Sequence, residues 1–155
     1  MATFNSQTPY IKQISLYFDN SDYKSALFLS EEFASAFPNE MISHFLYAKS
    51  AFWLDSFETA REEALKAFNL CKGQDDLAVA GILLSCIYYS QNEYEKGLVL
   101  LNLLRTKLPQ NEEIQKLKFI FALALHDEAA AMRHLEDLYD INKKSASDFI
   151  VKFLE

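Results

Sequence analysis

Residues 84–109, LSCIYYSQNEYEKGLVLLNLLRTKLP, hold two apolar runs separated by a short polar break. An apolar run through Tyr89 ends in a polar turn, Ser90 to Glu93. Tyr94 follows, with the small Gly97 three positions later, and a second apolar run ends at Pro109. Proline lacks an N–H and clashes with the preceding turn, so it is a natural stop. The stretch therefore reads as helix, turn, helix, stop.

The same anchor recurs on the N-terminal side. Phe57 precedes Ala60 and Tyr23 precedes Ala26, each after a polar turn (Asp55-Ser56 and Asp19 to Asp22). Ala26 to Ala60 is 34 positions, Ala60 to Gly97 is 37, and Gly97 to Ala131 is again 34. Pro38 closes the first unit as Pro109 closes the third, and a polar pair follows each. The three extra residues are expected in a loop near Lys72-Gly73-Gln74. A fixed period of this length marks a stack of supersecondary units. Helices are expected over residues 8–19, 23–37, 40–54, 57–71, 76–90, 94–108, 111–125 and 127–141. A ninth, over 146–154, would be opened by a Ser145/Asp148 capping box.

On these residues the chain resembles the tetratricopeptide repeat family. The third unit carries the pattern as Leu84-Ser85, Tyr88, Tyr94, Gly97, Leu101, Leu104 and Pro109. The second carries it as His44, Tyr47-Ala48, Ala51, Phe57, Ala60, Ala64 and Ala67. The first supplies Tyr10, Tyr17, Tyr23, Ala26, Phe33 and Pro38. The fourth is degenerate, with Glu128 in the aromatic place and Lys143 in the proline place. The resemblance implies one all-α domain over 1–155. Its repeats are expected near 7–40, 41–77, 78–111 and 112–145, in a right-handed α–α superhelix with a last helix over 146–154. Small residues at the crossings let the two helices of a unit approach, and no unit buries its apolar face alone, so neighbours must stack. The last helix bears Phe149, Ile150, Phe153 and Leu154 rather than a polar outer face. Either it caps imperfectly or the natural chain continues past Glu155.

Composition excludes several functions. Twenty-two acids against 15 bases give a net charge of −7 with no basic stripe, so nucleic acid is not an expected partner. The apolar runs Leu77–Leu84 and Phe119–Leu125 are too short to span a bilayer, so no membrane is expected. Met1 to Asn5 has no basic n-region, which with two cysteines (Cys71, Cys86) read as reduced thiols points to the nucleus or cytoplasm. His44, His126 and His134 do not stand at metal-ligand spacing, and His44 reads as a buried or interfacial side chain. The glycines are isolated, and the pairs Glu31-Glu32, Glu62-Glu63 and Glu112-Glu113 read as solvated faces or first turns. No catalytic residue, metal or cofactor is expected, and the chain reads as a non-enzyme.

A binding surface is expected instead. The exposed side of the first helices gives Ile11, Ser15, Phe18, then Ile42, Phe45, Lys49, Phe52, then Val79, Ile82, Cys86, Tyr89, then Lys116, Ile120 and Leu123. A mostly apolar strip of this kind marks an interaction surface, with Trp53, Phe52 and Phe45 as anchors. The alternative is that these residues only pack within the superhelix or beneath the last helix. Co-chaperone members of the family clamp a heat-shock carboxylate with basic and amide side chains. The matching positions here, Ile11, Ser15, Leu46, Val79 and Leu83, carry none, so that ligand is not expected.

The stretch Tyr17 to Glu31 is also similar to the opening helix pair of anaphase-promoting-complex scaffold subunits. That resemblance implies a homodimerising N-terminal region of a multi-subunit ubiquitin ligase with a role in the cell cycle. A small chaperone that holds apolar client segments is the alternative. Phe45→Glu with Phe52→Glu is expected to abolish association without loss of helicity, and Gly97→Leu to damage folding.

Overall fold

The computed structural model describes residues 4–155; Met1 to Thr3, which the single-domain expectation includes, lie outside the described residues. Among the described residues the regular structure is nine helices. They are α1 (Gln7–Asp19), α2 (Tyr23–Ala36), α3 (Met41–Trp53), α4 (Phe57–Asn69), α5 (Gln74–Ser90), α6 (Tyr94–Lys107), α7 (Glu112–Ala124), α8 (Glu128–Ile141) and α9 (Lys143–Leu154). The architecture is all-α, made of tetratricopeptide-type helical hairpins. The chain divides into two compact units, Met1–Ile87 and Tyr88–Glu155, with the division falling inside α5.

One backbone device makes every hairpin. Ser21, Asp55, Asn92 and His126 have φ of 55°, 58°, 59° and 58°, and their numbers repeat the 34, 37, 34 spacing. After each, the next residue's N–H returns to a carbonyl five back: Asp22 to Tyr17, Ser56 to Ala51, Glu93 to Tyr88 and Asp127 to Ala122, at 2.8–2.9 Å. The left-handed residue itself donates to the carbonyl three back. This is the Schellman stop, which satisfies the carbonyls a helix end leaves over. Asp22 and Asp127 then cap the following helix, accepting from the Ser25 and Ala130 N–H groups.

In the first unit Tyr10, Ile14, Ala26, Phe33 and Leu46 form a buried cluster shared by α1, α2 and α3. Tyr10 stacks on Phe33 at 4.8 Å and donates its hydroxyl to Glu32 at 3.0 Å. Polar groups pair across the helices: Ser30 and Ser50 lie 3.2 Å apart, fully buried. In the second unit Phe119, Ala122 and Ala131 are the centre of a cluster onto which Phe149 and Ile150 of α9 pack. Phe119 meets Phe149 and Phe153 edge-on at 5.5 and 5.2 Å, while Val151 and Leu154 of the same helix remain exposed.

The expected small residues are where the fold needs them: Ala26, Ala60, Gly97 and Ala131 are all buried. A Cβ at Gly97 would lie 2.1 Å from Phe121 Cε1, so α7 of the following hairpin approaches closely there.

Three readings are corrected. α9 starts at Lys143, not 146, because Asn142 ends α8 and also caps α9, its side chain accepting from the Ser145 N–H at 3.1 Å. Glu63 is not a solvated acid: it is 6% exposed, with Oε2 2.5 Å from His44 Nδ1 and Oε1 2.7 Å from Lys66 Nζ. His44 is buried, as expected, and its Nε2 lies 2.7 Å from the Pro38 carbonyl. The extra residues of the long spacing are not in a longer loop, as expected near Lys72-Gly73-Gln74: the 70–73 connection matches 37–40 and 108–111 in length, and the excess lies in α5, which has 17 residues where α1, α3 and α7 have 13.

Candidate protein-interaction surface

The side chains expected to line a groove separate into three kinds. Ile11, Ile42 and Phe45 are half-buried and pack against the first unit's core cluster. Leu46, one of the positions compared with the carboxylate clamp, is itself in that core at 8% exposure. Val79 and Tyr89 are exposed, at 46% and 39%. Ile82 is half-buried, and Ile120 is half-buried against the second unit's cluster.

Phe18, Lys49 and Phe52 form the third kind, brought together at the turn edge of the first unit. Lys49 Nζ lies 4.6 Å above the Phe18 ring. Phe18 tilts against Tyr23 at 5.7 Å, Tyr23 lies nearly parallel to Trp53 at 5.4 Å and 10°, and Phe52 touches both Trp53 (6.4 Å) and Phe57 (6.0 Å). The sequence explains the arrangement. Phe18, Phe52 and Tyr89 each stand five positions before an aromatic that opens the next helix (Tyr23, Phe57, Tyr94), with the left-handed residue between them. Each pair clasps its own turn, and Tyr89 and Tyr94 meet at 5.3 Å. Phe18 and Phe52 therefore have a structural duty as well as a partly open face. Trp53, anchored by Tyr23 beneath, is 54% exposed.

In the second unit Tyr89, Tyr94 and Phe121 make a triangle with edges of 5.3, 5.4 and 6.3 Å, and this triangle encloses the space opposite Gly97. A polar cluster lies between α6, α7 and α8. Lys118 is 8% exposed, and burial, then the nearby Arg105 charge, push its ammonium pKa down while Asp137 opposes. Gln115 is fully buried, and with its carbonyl oxygen turned to Arg105 it accepts from Nε at 2.5 Å. His134 Nδ1 is buried without a partner. Burial, and next the Lys118 charge, lower its pKa.

Sequence reasoning missed two features. A cavity of about 640 Å³ opens on α1 and α2, walled by Tyr17, Phe28 and Leu29, with Phe28 57% exposed. Phe28 and Leu16 are exposed apolar side chains on α2 and α1, outside the first-helix strip expected to bind. The second feature is the turn-edge clustering, legible in the five-residue spacing of the aromatics.

Among the described residues no three His, Cys, Asp or Glu side chains could hold a metal ion. No described helix is long and apolar enough to cross a membrane. What the surfaces offer is apolar and aromatic contact area on a rigid helical support.

Comparison with known proteins places the fold. No protein-family profile matches the sequence, and no curated protein matches it at a significant level. Solved structures of MamA do match. One has a TM-score of 0.79 at 15% identity, covering 92% of this chain and 82% of that one. A MamA chain from Desulfovibrio magneticus RS-1 has a TM-score of 0.76 at 12% identity, covering 99% and 96%. At such identities the likeness is one of fold: this chain is built as those helical chains are.

Proposed function

We propose that the chain is a non-catalytic protein–protein interaction module, a scaffold or adaptor that holds a polypeptide partner on its exposed aromatic and aliphatic side chains. The observation that carries this reading is the immobilised Trp53: an indole 54% exposed yet stacked on Tyr23 and braced by Phe52. Trp and Tyr held rigid at a surface lose little further freedom on binding, which is why such side chains dominate interface energetics. Val79 and Tyr89 add exposed contact area, each within its own unit.

The finer reading is self-association within a larger assembly. Its support is the likeness of residues 17–31 to the opening helix pair of anaphase-promoting-complex scaffold subunits, in a nuclear or cytoplasmic setting. The alternative is a small chaperone for apolar client segments, favoured by the exposed Phe28 beside the α1–α2 cavity. Light scattering on the purified chain separates them. A particle of twice 17.8 kDa supports the self-associating scaffold. A monomer that retains an unfolded client supports the chaperone, and a monomer with no affinity for itself or for any polypeptide contradicts both.

A further inference from the structure

We propose that the turn edge of the first unit, centred on the Trp53–Tyr23 stack, docks an arginine-bearing basic segment of a partner protein. This deepens the reading above and rests on it. The platform is aromatic on one side and acidic around its rim. Asp19 follows Phe18, Asp22 precedes Tyr23, and Asp55 and Glu58 flank Phe57 on the turn that begins two residues after Trp53. Asp19, Asp55 and Glu58 are exposed. Asp22 is held ionised by hydrogen bonds from Ser25, which lower its pKa. Lys24, Lys49 and Arg61 are the neighbouring bases along α2, α3 and α4, and Lys49 already sits over Phe18.

The charge of the whole unit points the same way. Residues 1–87 hold eleven acids (five Asp, six Glu) and six bases (five Lys, one Arg), a formal −5 of the chain's −7. A positive segment is therefore drawn to this unit and a negative one repelled. At the platform itself, an indole fixed on one face by Tyr23 leaves its other face for a cation, and tryptophan is the best aromatic acceptor of one. Arginine suits the site better than lysine. Its planar guanidinium lies flat on an indole while its N–H fork reaches carboxylates at the rim, whereas an ammonium does only one of the two well.

The chain's single tryptophan makes the test direct. A capped hexa-arginine peptide is titrated into the whole chain while Trp53 emission is followed, with hexa-lysine and hexa-glutamate as comparisons. The expected result is a saturable change with hexa-arginine at least threefold tighter than with hexa-lysine, none with hexa-glutamate, and weakening between 50 and 300 mM salt. By anisotropy of a labelled hexa-arginine, Trp53→Leu should weaken binding at least fivefold at unchanged helicity. No emission change with hexa-arginine, equal binding by Trp53→Leu, or an emission change driven by protein concentration alone (a second copy as occupant) would each overturn the inference. Should it fail while light scattering still finds a self-associated or client-bound chain, the interaction-module reading stands without it.

Discussion

At the scale of single residues, the fold depends on positions where backbone or volume leaves little choice. Gly97 is one. A methyl group there would enter the Phe121 ring, which is fully buried and held by Tyr89 and Tyr94, so it cannot swing aside cheaply. Overpacking costs roughly 1–3 kcal/mol, and the better helix propensity of alanine returns about 1 kcal/mol. Gly97→Ala should therefore lower stability by up to about 2 kcal/mol net in thermal unfolding. Adding Phe121→Leu should recover part of that loss, the non-additivity expected of residues in contact. The left-handed turn residues work in the opposite sense. Ser21 holds φ 55° with a Cβ that disfavours it, so Ser21→Gly should stabilise by roughly 0.5–1 kcal/mol. Asn92→Gly should gain less, because asparagine tolerates this region. The small residues were legible in the sequence because their 34-residue spacing is explicit. The positive-φ positions were not, since Ser, Asp, Asn and His share no side-chain feature that announces the conformation, and no glycine marks them.

At the scale of elements, the 3.6-residue periodicity and the prolines sufficed to set eight helices within about two residues, and α9 was misplaced for an identifiable reason. A single Asn142 serves as both the end of α8 and the cap of α9, so the sequence holds no separate loop to read there. Buried polar pairs were equally hidden. Glu63 looks like half of an exposed acid pair until α3 presents His44 to it. His44→Ala would leave the Glu63 carboxylate buried with Lys66 alone, and removing one member of a buried pair costs about 3–5 kcal/mol. Denaturant titration should find His44→Ala near the low end of that range. Its combination with Glu63→Gln should be less damaging than the sum of the two single changes. Between α7 and α8, His134 supplies a pH dependence. Burial and Lys118 hold its pKa below the ordinary 6.5, so the unfolded chain takes up a proton more readily than the folded one. Stability contributed by this group is complete above 6.5 and is lost as pH falls from there toward the folded value. Melting curves between pH 7.5 and 5.5 should show a decline that His134→Phe reduces.

At the scale of the whole molecule, the expected binding strip illustrates what a sequence cannot separate. Apolar residues on a first helix serve the turn clasp, the core margin or the open surface, and periodicity assigns all three to one face. Phe45 proves to be core margin and Phe52 a turn clasp, so Phe45→Glu with Phe52→Glu should disturb folding as well as binding. Phe28, Trp53 and Val79 are exposed outside that double duty, whereas Tyr89 clasps its turn and packs on Phe121. Association separable from folding is tested by sedimentation equilibrium of the wild type beside Phe28→Ser/Val79→Ser, exposed positions outside the turn clasps and the Trp53 platform, with helicity recorded on the same samples. The account predicts a self-associating wild type and a monomeric variant of equal helicity. A variant that associates as the wild type does, or that loses its helices, would contradict it.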